Sequence, residues 1–167
     1  MSLLHIAPEQ CFSDHLRLIP DLTYLAGDLA EKPAIDFRMD LCDIPMQTEH
    51  LDGILCLHVL EHIPDDAKAM SEMYRVLKNG GWAVVMVPTD GQRTIEALDA
   101  YTPAQRIRLF GQADHVRQYG SDILERLSRV GFEVAVIRPE QWLDATTIRT
   151  YGLSGEIIHR CTKRSST

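Results

Sequence analysis

Apolar runs typical of buried strands alternate with segments typical of amphipathic helices along the 167-residue chain. The predicted strands are residues 3–6, 22–26, 35–39, 51–57, 82–87, 132–137 and 156–161. The predicted helices are residues 9–18, 65–77, 103–110 and 123–130. Strands that alternate with helices over a whole chain predict a three-layer α/β fold with a mostly parallel sheet.

The helix predicted over 65–77 has a clear apolar stripe, because apolar residues from Ala67 to Leu77 recur at helical spacing. An Asn-Gly-Gly sequence follows at 79–81 and predicts the end of this helix, since glycine readily adopts the left-handed conformation found at helix C-termini. The uninterrupted apolar run at 82–87 then predicts a strand that is buried on both faces.

The composition fits one globular domain. Hydrophobic residues make up 45% of the chain and charged residues 25%, which is enough apolar material for one buried core. We expect one domain over residues 1–162 and a polar tail over 163–167. The formal net charge of -7 argues against generic nucleic-acid binding, which requires clustered cations, and favours a small molecule or a protein as partner.

The sequence predicts a cytoplasmic protein without membrane contact. No apolar run approaches the ~20 residues of a membrane helix, and the N-terminal residues lack a signal-peptide pattern. The cysteines form no C-x-x-C pair, and Cys56 and Cys161 fall in predicted strands. We therefore expect reduced thiols.

Acidic residues follow two successive predicted strands. Asp28 comes after the second strand and Asp40 after the third, and ligands of parallel α/β sheets bind at the carboxyl ends of strands. A carboxylate can accept hydrogen bonds from ribose hydroxyls or from an adenine amino group, so these positions favour a nucleoside site. The alternative is that both are solvated turn residues or helix caps. The first glycine is Gly27 and no G-x-G-x-x-G is present, which argues against a pyrophosphate site.

Three segments carry a family resemblance. LDGILCLHVLEHIPDD at 51–66, which runs on to MYRVLKNGGW at 73–82, resembles the core of the class I S-adenosylmethionine-dependent methyltransferases, and within them the type 11 group. MDLCDIP at 39–45 is similar to the segment that holds adenine in these enzymes, and HVRQY at 115–119 is similar to their region after the fifth strand.

The resemblance implies a Rossmann-like sheet that ends in a C-terminal antiparallel hairpin, with S-adenosylmethionine lying across the strand ends. It implies that Asp28 holds the ribose, that Asp40 and Leu41 hold the adenine, and that Leu57 and His58 border the methionine portion. The full set of residues that it assigns to the cofactor is His5, Ala7, Pro8, Asp28, Leu29, Asp40, Leu41, Leu57 and His58.

The chain departs from the family in its first loop. HIAPE at 5–9 stands where these enzymes usually carry a glycine-rich turn, and no helix is predicted ahead of the first strand. Ala7 is small enough to let a cofactor approach, and Pro8 suits the first turn of a helix because its missing N–H costs nothing there.

The candidate catalytic residues are His115 and His62. Methyl transfer is an in-line displacement in which positioning supplies much of the rate. A protein base is needed only when the acceptor arrives protonated, and histidine serves near neutral pH. His58 and His62 lie one helical turn apart and could share a metal, but no third ligand is evident nearby in the sequence, so no metal site is assigned.

Each candidate also has a structural alternative. His62 could cap or pack beneath the following helix. His115 could be a solvated loop residue beside an ion pair between Arg117 and Asp114. Arg117 could instead recognise a carboxylate, since its planar fork matches two oxygens.

The resemblance implies an enzyme that transfers a methyl group from S-adenosylmethionine to a small or medium-sized acceptor. We expect residues 88–119 to form part of the acceptor wall, since loops beyond the strand ends build such pockets. One alternative is a degenerate, non-catalytic domain of the same fold that acts in binding or forms a homodimer. A third hypothesis, from fold alone, is an NAD-dependent oxidoreductase.

Overall fold

The computed structural model describes residues 1–96, 101–153 and 155–165. Within these ranges, one sheet is formed by seven strands: β1 (Ser2–Ile6), β2 (Thr23–Asp28), β3 (Phe37–Arg38), β4 (Leu51–Leu57), β5 (Leu77–Met86), β8 (Phe132–Ile137) and β9 (Ile158–Lys163). A separate two-stranded sheet pairs β6 (Ile95–Glu96) with β7 (Arg117–Gln118).

The large sheet has the order β3-β2-β1-β4-β5-β9-β8. Every pair from β3 to β5 is parallel, whereas β9 runs antiparallel to both of its neighbours, β5 and β8. The predicted fold is confirmed: a Rossmann-like, mostly parallel sheet with a C-terminal antiparallel hairpin.

Helices cover both faces of this sheet. They are α1 (Gln10–Leu16), α2 (Asp66–Val76), α3 (Pro103–Phe110), α4 (Ile123–Arg129) and α5 (Ala145–Tyr151). Residues of α2 and α4, such as Met73 and Leu127, share one buried cluster with Leu4 and Val85 of the sheet. Leu16 of α1 packs against a second cluster on the other face, which includes Tyr24. This is the three-layer arrangement that the alternation of elements predicts.

The connection from α2 to β5 differs from the prediction. The helix ends at Val76, and Leu77 is already extended as the first residue of β5. Gly80 does adopt a left-handed conformation, with φ of 79°, but it lies inside β5, where the pairing with β4 shifts register. Its conformational freedom therefore serves a bulge in the strand and not the end of the helix. Ala67, at the start of the predicted stripe, is exposed, and the buried side of α2 is centred on Met70 and Met73.

Helix α5 and the end of the last strand also differ from the prediction. The helix α5 begins at the cap of Asp144, whose Oδ1 accepts hydrogen bonds from the amides of Thr146 and Thr147 at 2.8 and 3.0 Å. The last strand begins later than expected and includes Lys163, whose Nζ donates to the carbonyl of Leu77 at 2.8 Å. Lys163 is therefore part of the sheet, although the sequence assigns it to the polar tail.

Cysteine chemistry agrees with the expectation of reduced thiols. All four cysteines are free, and Cys56 and Cys161 are fully buried in β4 and β9. Burial raises the pKa of the Cys161 thiol to about 12, so this side chain remains protonated at neutral pH. Among the described residues, no helix combines the length and apolar character that crossing a bilayer requires.

We expect the free energy of unfolding to fall as the pH is lowered below about 6.5, in part because His159 is buried in β9. Burial lowers the pKa of His159 below its ordinary value of 6.5, so unfolding in mild acid is accompanied by proton uptake. The stabilisation is complete above the unfolded pKa and is lost as the pH falls towards the folded pKa. Urea unfolding of the wild type and His159→Gln at several pH values measures this effect. The variant should show a shallower pH dependence; an equal slope would exclude His159 as a contributor.

Candidate functional site

A cavity of about 390 Å³ opens at the carboxyl ends of β1, β2 and β4. Seven of the sequence-predicted site residues line it: Ala7, Asp28, Leu29, Asp40, Leu41, His58 and His62. The other four, which are not among its lining residues, are His5, Pro8, Leu57 and His115. The fold therefore gathers most of the predicted cofactor residues, and one of the two predicted catalytic histidines, around one opening.

Asp28 is the last residue of β2, and only 7% of its surface is exposed. Its Oδ2 lies 2.5 Å from Lys32 Nζ, and its Oδ1 accepts a hydrogen bond from the Ala30 amide at 2.9 Å. Burial opposes its ionisation, but the hydrogen bonds from Lys32 and Ala30 outweigh burial, and the pKa of Asp28 lies below its ordinary value. Asp28 is thus a buried, ionised hydrogen-bond acceptor at the wall of the cavity.

Asp40 and Leu41 form the next part of the wall. Oδ1 of Asp40 accepts a hydrogen bond from the Cys42 amide at 2.8 Å, which is the geometry of an Asx turn. Asp40 is exposed, whereas Leu41 is 4% exposed and belongs to the main core. The turn that the alternative interpretation of Asp40 expects is present, and it places an apolar side chain and a carboxylate side by side at the cavity.

Two residues at strand ends have left-handed backbone conformations although neither is glycine. Ala7, after β1, has φ of 48°, and His58, after β4, has φ of 52°. The amide of Ala7 donates to the carbonyl of Gly27 at 2.8 Å, and the amide of His58 donates to that of Met86 at 2.9 Å. Non-glycine residues pay a conformational cost for such angles, which the surrounding hydrogen bonds offset. Ala7 therefore adopts the kind of backbone that a glycine-rich first loop would provide.

His5 lies beneath the first loop, fully buried. Its Nδ1 is 2.9 Å from the Tyr24 hydroxyl, which is in turn 2.8 Å from Ser13 Oγ in α1. Burial lowers the pKa of His5 despite the nearby Glu9 carboxylate. This network links β1, β2 and α1 and supports the loop from below.

Four polar side chains meet at the far end of the cavity. A 3-10 turn at Leu60–His62 follows β4, so the helical turn considered for residues 57–63 is present only in part. Oε1 of Glu61 lies 3.6 Å from His58 Nδ1, and the interaction with Glu61 raises the pKa of His58 above its ordinary value. The rings of His62 and His115 meet edge to face, with their centroids 4.7 Å apart.

His115 is 3% exposed, so its alternative interpretation as a solvated loop residue is wrong. It is held in place because the segment around it packs on the 3-10 turn: the amide of Val116 donates to the carbonyl of Glu61 at 2.9 Å. The sequence does not indicate that His115 lies beside His62, because the two residues belong to segments that are distant along the chain. No local signal in the sequence pairs these two segments.

Arg117 has a structural role that neither interpretation from the sequence includes. It is 1% exposed, and its guanidinium donates to the carbonyls of Leu60, Ile63 and Pro64. Its Nε lies 3.7 Å from Asp66 Oδ2. The expected pair with Asp114 is not formed, since Asp114 contacts His62 at 3.2 Å. Arg117 is therefore enclosed by protein groups and does not face the cavity.

Two comparisons with known sequences find methyltransferases similar to this chain. The methyltransferase domain family, type 11, matches residues 15–85. A Mycolicibacterium smegmatis protein named "Probable S-adenosylmethionine-dependent methyltransferase" is 31% identical over 107 residues, which cover 63% of this chain and 38% of that protein. The chain thus spans well under half the length of this relative.

Solved structures share the fold at low sequence identity. The partner of the Trm112 methyltransferase activator in a Haloferax volcanii complex superposes with a TM-score of 0.69 at 10% identity, over 99% of this chain and 83% of that one. An Archaeoglobus fulgidus SAM-dependent methyltransferase gives 0.66 at 14% identity, over 97% and 86%. A Haemonchus contortus phosphoethanolamine N-methyltransferase in complex with S-adenosylhomocysteine gives 0.64 at 13%, over 99% and 49%.

Proposed function

We propose that this chain, which is similar to S-adenosylmethionine-dependent methyltransferases, binds S-adenosylmethionine and transfers its methyl group to a small or medium-sized acceptor. The observation that carries the proposal is the ionised, nearly buried carboxylate of Asp28 in the wall of a cavity at the carboxyl ends of the parallel strands. Buried carboxylates at this position suit the paired hydroxyls of a ribose.

The other residues of the wall complete a nucleoside site. Leu41 offers an apolar surface for a purine ring, and the Asp40 carboxylate beside it can accept a hydrogen bond from an exocyclic amino group. Ala7 and His58 border the opposite side, where the left-handed loop at Ala7 keeps side-chain bulk away from the ligand. Bound there, the cofactor would supply an electrophilic methyl group.

The acceptor side of the site lies towards His62. Of the two predicted catalytic histidines, His62 lines the cavity and His115 lies behind it, so an acceptor would meet His62 first. These residues would orient the acceptor and manage its proton if it arrives protonated. Leu57, Pro8 and His5 would act by supporting the loops that form the walls.

Calorimetric titration with S-adenosylmethionine, S-adenosylhomocysteine and NAD tests the proposal without a known acceptor. We expect both adenosyl ligands to bind one site per chain with micromolar dissociation constants, and NAD not to bind. Absence of adenosyl binding would favour the degenerate, non-catalytic domain. Binding of NAD alone would favour the oxidoreductase. Once binding is established, transfer of labelled methyl groups to an acceptor library measures turnover.

A further inference from the structure

The two histidines at the far end of the cavity, to which the proposed function gives the acceptor's proton, lie beside a carboxylate that it does not use, that of Glu61. Glu61, His62 and His115 bring one potential ligand atom each to within 4.8 Å of one another. Glu61 is 1% exposed and His115 is 3% exposed, while His62 is half-buried and reaches the cavity wall. Two ligand types, carboxylate and imidazole, are thus held together largely out of solvent.

The ring of His115 is oriented by the backbone. Its Nδ1 lies 2.9 Å from the carbonyl oxygen of Phe110, and a carbonyl can only accept, so the proton of the neutral ring resides on Nδ1. Nε2 is then left with its lone pair. This atom is buried and has no hydrogen-bond partner among the described residues. A backbone carbonyl that fixes the opposite ring nitrogen is the arrangement by which proteins orient metal-binding histidines.

The carboxylate of Glu61 has the complementary property. Its Oε1 faces His58 at 3.6 Å, but its Oε2 is buried and has no hydrogen-bond partner in the described part of the chain. Burying a carboxylate oxygen without a hydrogen-bond partner or a counter-charge is unfavourable. Glu61 Oε2 and His115 Nε2 are therefore two buried atoms of one cluster, and neither has a hydrogen-bond donor among the described residues.

His62 completes the set. Its Nδ1 is 3.2 Å from Asp114 Oδ2, and a carboxylate beside Nδ1 stabilises the tautomer that leaves Nε2 free as a ligand. Asp114 itself is well exposed, so it serves as an orienting neighbour.

We propose that Glu61, His62 and His115 bind a divalent transition-metal ion, for which Zn²⁺ is the best-matched candidate. Two imidazole nitrogens and one carboxylate oxygen are the ligand set of zinc sites that keep a coordination position open. A divalent cation would supply the positively charged partner that Glu61 Oε2 and His115 Nε2 lack among the described residues. His62 lines the cavity, so the open position faces the side where an acceptor would enter.

Titration of metal-free, tag-free protein with Zn²⁺, followed by calorimetry and elemental analysis, tests the site. We expect one ion per chain, with binding at least about tenfold weaker in Glu61→Gln and in His115→Gln. His50→Ala is the matched control, because His50 is exposed and remote from the cluster; its affinity should equal that of the wild type. Failure of the wild type to bind, or equal binding by all four proteins, would overturn the proposal.

A second measurement does not depend on the variants folding. Co²⁺ added to the unmodified protein should give visible absorption bands of a low-coordinate ion with nitrogen and oxygen ligands, and Zn²⁺ should raise the thermal midpoint of unfolding. A spectrum identical to that of Co²⁺ in buffer would exclude the site. The S-adenosylhomocysteine titration tests the proposed function independently of the metal site. Binding of S-adenosylhomocysteine without metal binding overturns only this inference, and metal binding without S-adenosylhomocysteine binding overturns only the proposed function.

Discussion

Replacing Arg117 by alanine should lower the free energy of unfolding by about 3–5 kcal/mol, the range for removing one partner of a buried ion pair. The guanidinium joins three carbonyls of residues 60–64 to the carboxylates of Asp66 and Glu96. Without it, those carbonyls and Asp66 lose a buried cationic partner. Asp66 would keep its contacts with Arg126 and with the Tyr119 hydroxyl, at 2.7 and 2.8 Å, so we expect destabilisation and not complete unfolding.

Urea unfolding followed by circular dichroism measures this change, and Arg129→Ala is the matched control. Arg129 is 77% exposed, and its pair with Glu125 is a surface contact, so its removal should change stability by less than about 1 kcal/mol. Arg117→Lys keeps the positive charge but loses the planar guanidinium that contacts several carbonyls. Its free energy of unfolding should therefore lie between those of the Arg117 and Arg129 alanine variants. Equal stabilities of the Arg117 and Arg129 alanine variants would show that the carbonyl contacts contribute nothing.

Replacing Asp28 by alanine should weaken binding of S-adenosylhomocysteine by about 1–3 kcal/mol, which corresponds to about a 5- to 150-fold rise in the dissociation constant. In the proposed site, the variant leaves the ribose hydroxyls without their charged acceptor. Calorimetry measures the affinity, and circular dichroism checks that the fold survives.

The variant Lys32→Ala tests whether the Asp28 carboxylate or its ion pair with Lys32 is responsible for ligand binding. Lys32 is 54% exposed, so its loss removes a half-solvated contact while Asp28 keeps the hydrogen bond from the Ala30 amide. We expect a change in affinity below about 1 kcal/mol. If Lys32→Ala weakens binding as much as Asp28→Ala does, the lysine holds the ligand and the ribose assignment is wrong.

The sheet could be predicted from the sequence because strands buried on both faces are continuous apolar runs. The bounds predicted for β4 and β8 are those observed, and so are those of α3, where Thr102 forms a capping box with Gln105 and Gly111 is left-handed. Helix α5 escaped prediction because its seven residues carry little apolar periodicity, and its start depends on the cap of Asp144.

The sequence could predict only those residues of the candidate site that directly follow strands of the parallel sheet. Asp28 and Asp40 follow strands of a parallel sheet, so topology alone brings them to one edge. The contact between Glu61 and His115 depends on how the segment after β6 packs across the 3-10 turn, through Val116 and Arg117. The hydrophobic periodicity of the sequence cannot predict such a contact, because the contact joins irregular segments that are distant in sequence.

The position of β9 has a consequence for synthesis on the ribosome. This strand follows all other strands of the described chain, yet it lies inside the sheet, between β5 and β8. A nascent chain therefore completes β5 and β8 while each still has an unpaired backbone edge, and such edges recruit strands from other molecules. Until residues 158–163 emerge and pair between β5 and β8, these two strands can pair with strands of other molecules, so aggregation competes with folding up to that point.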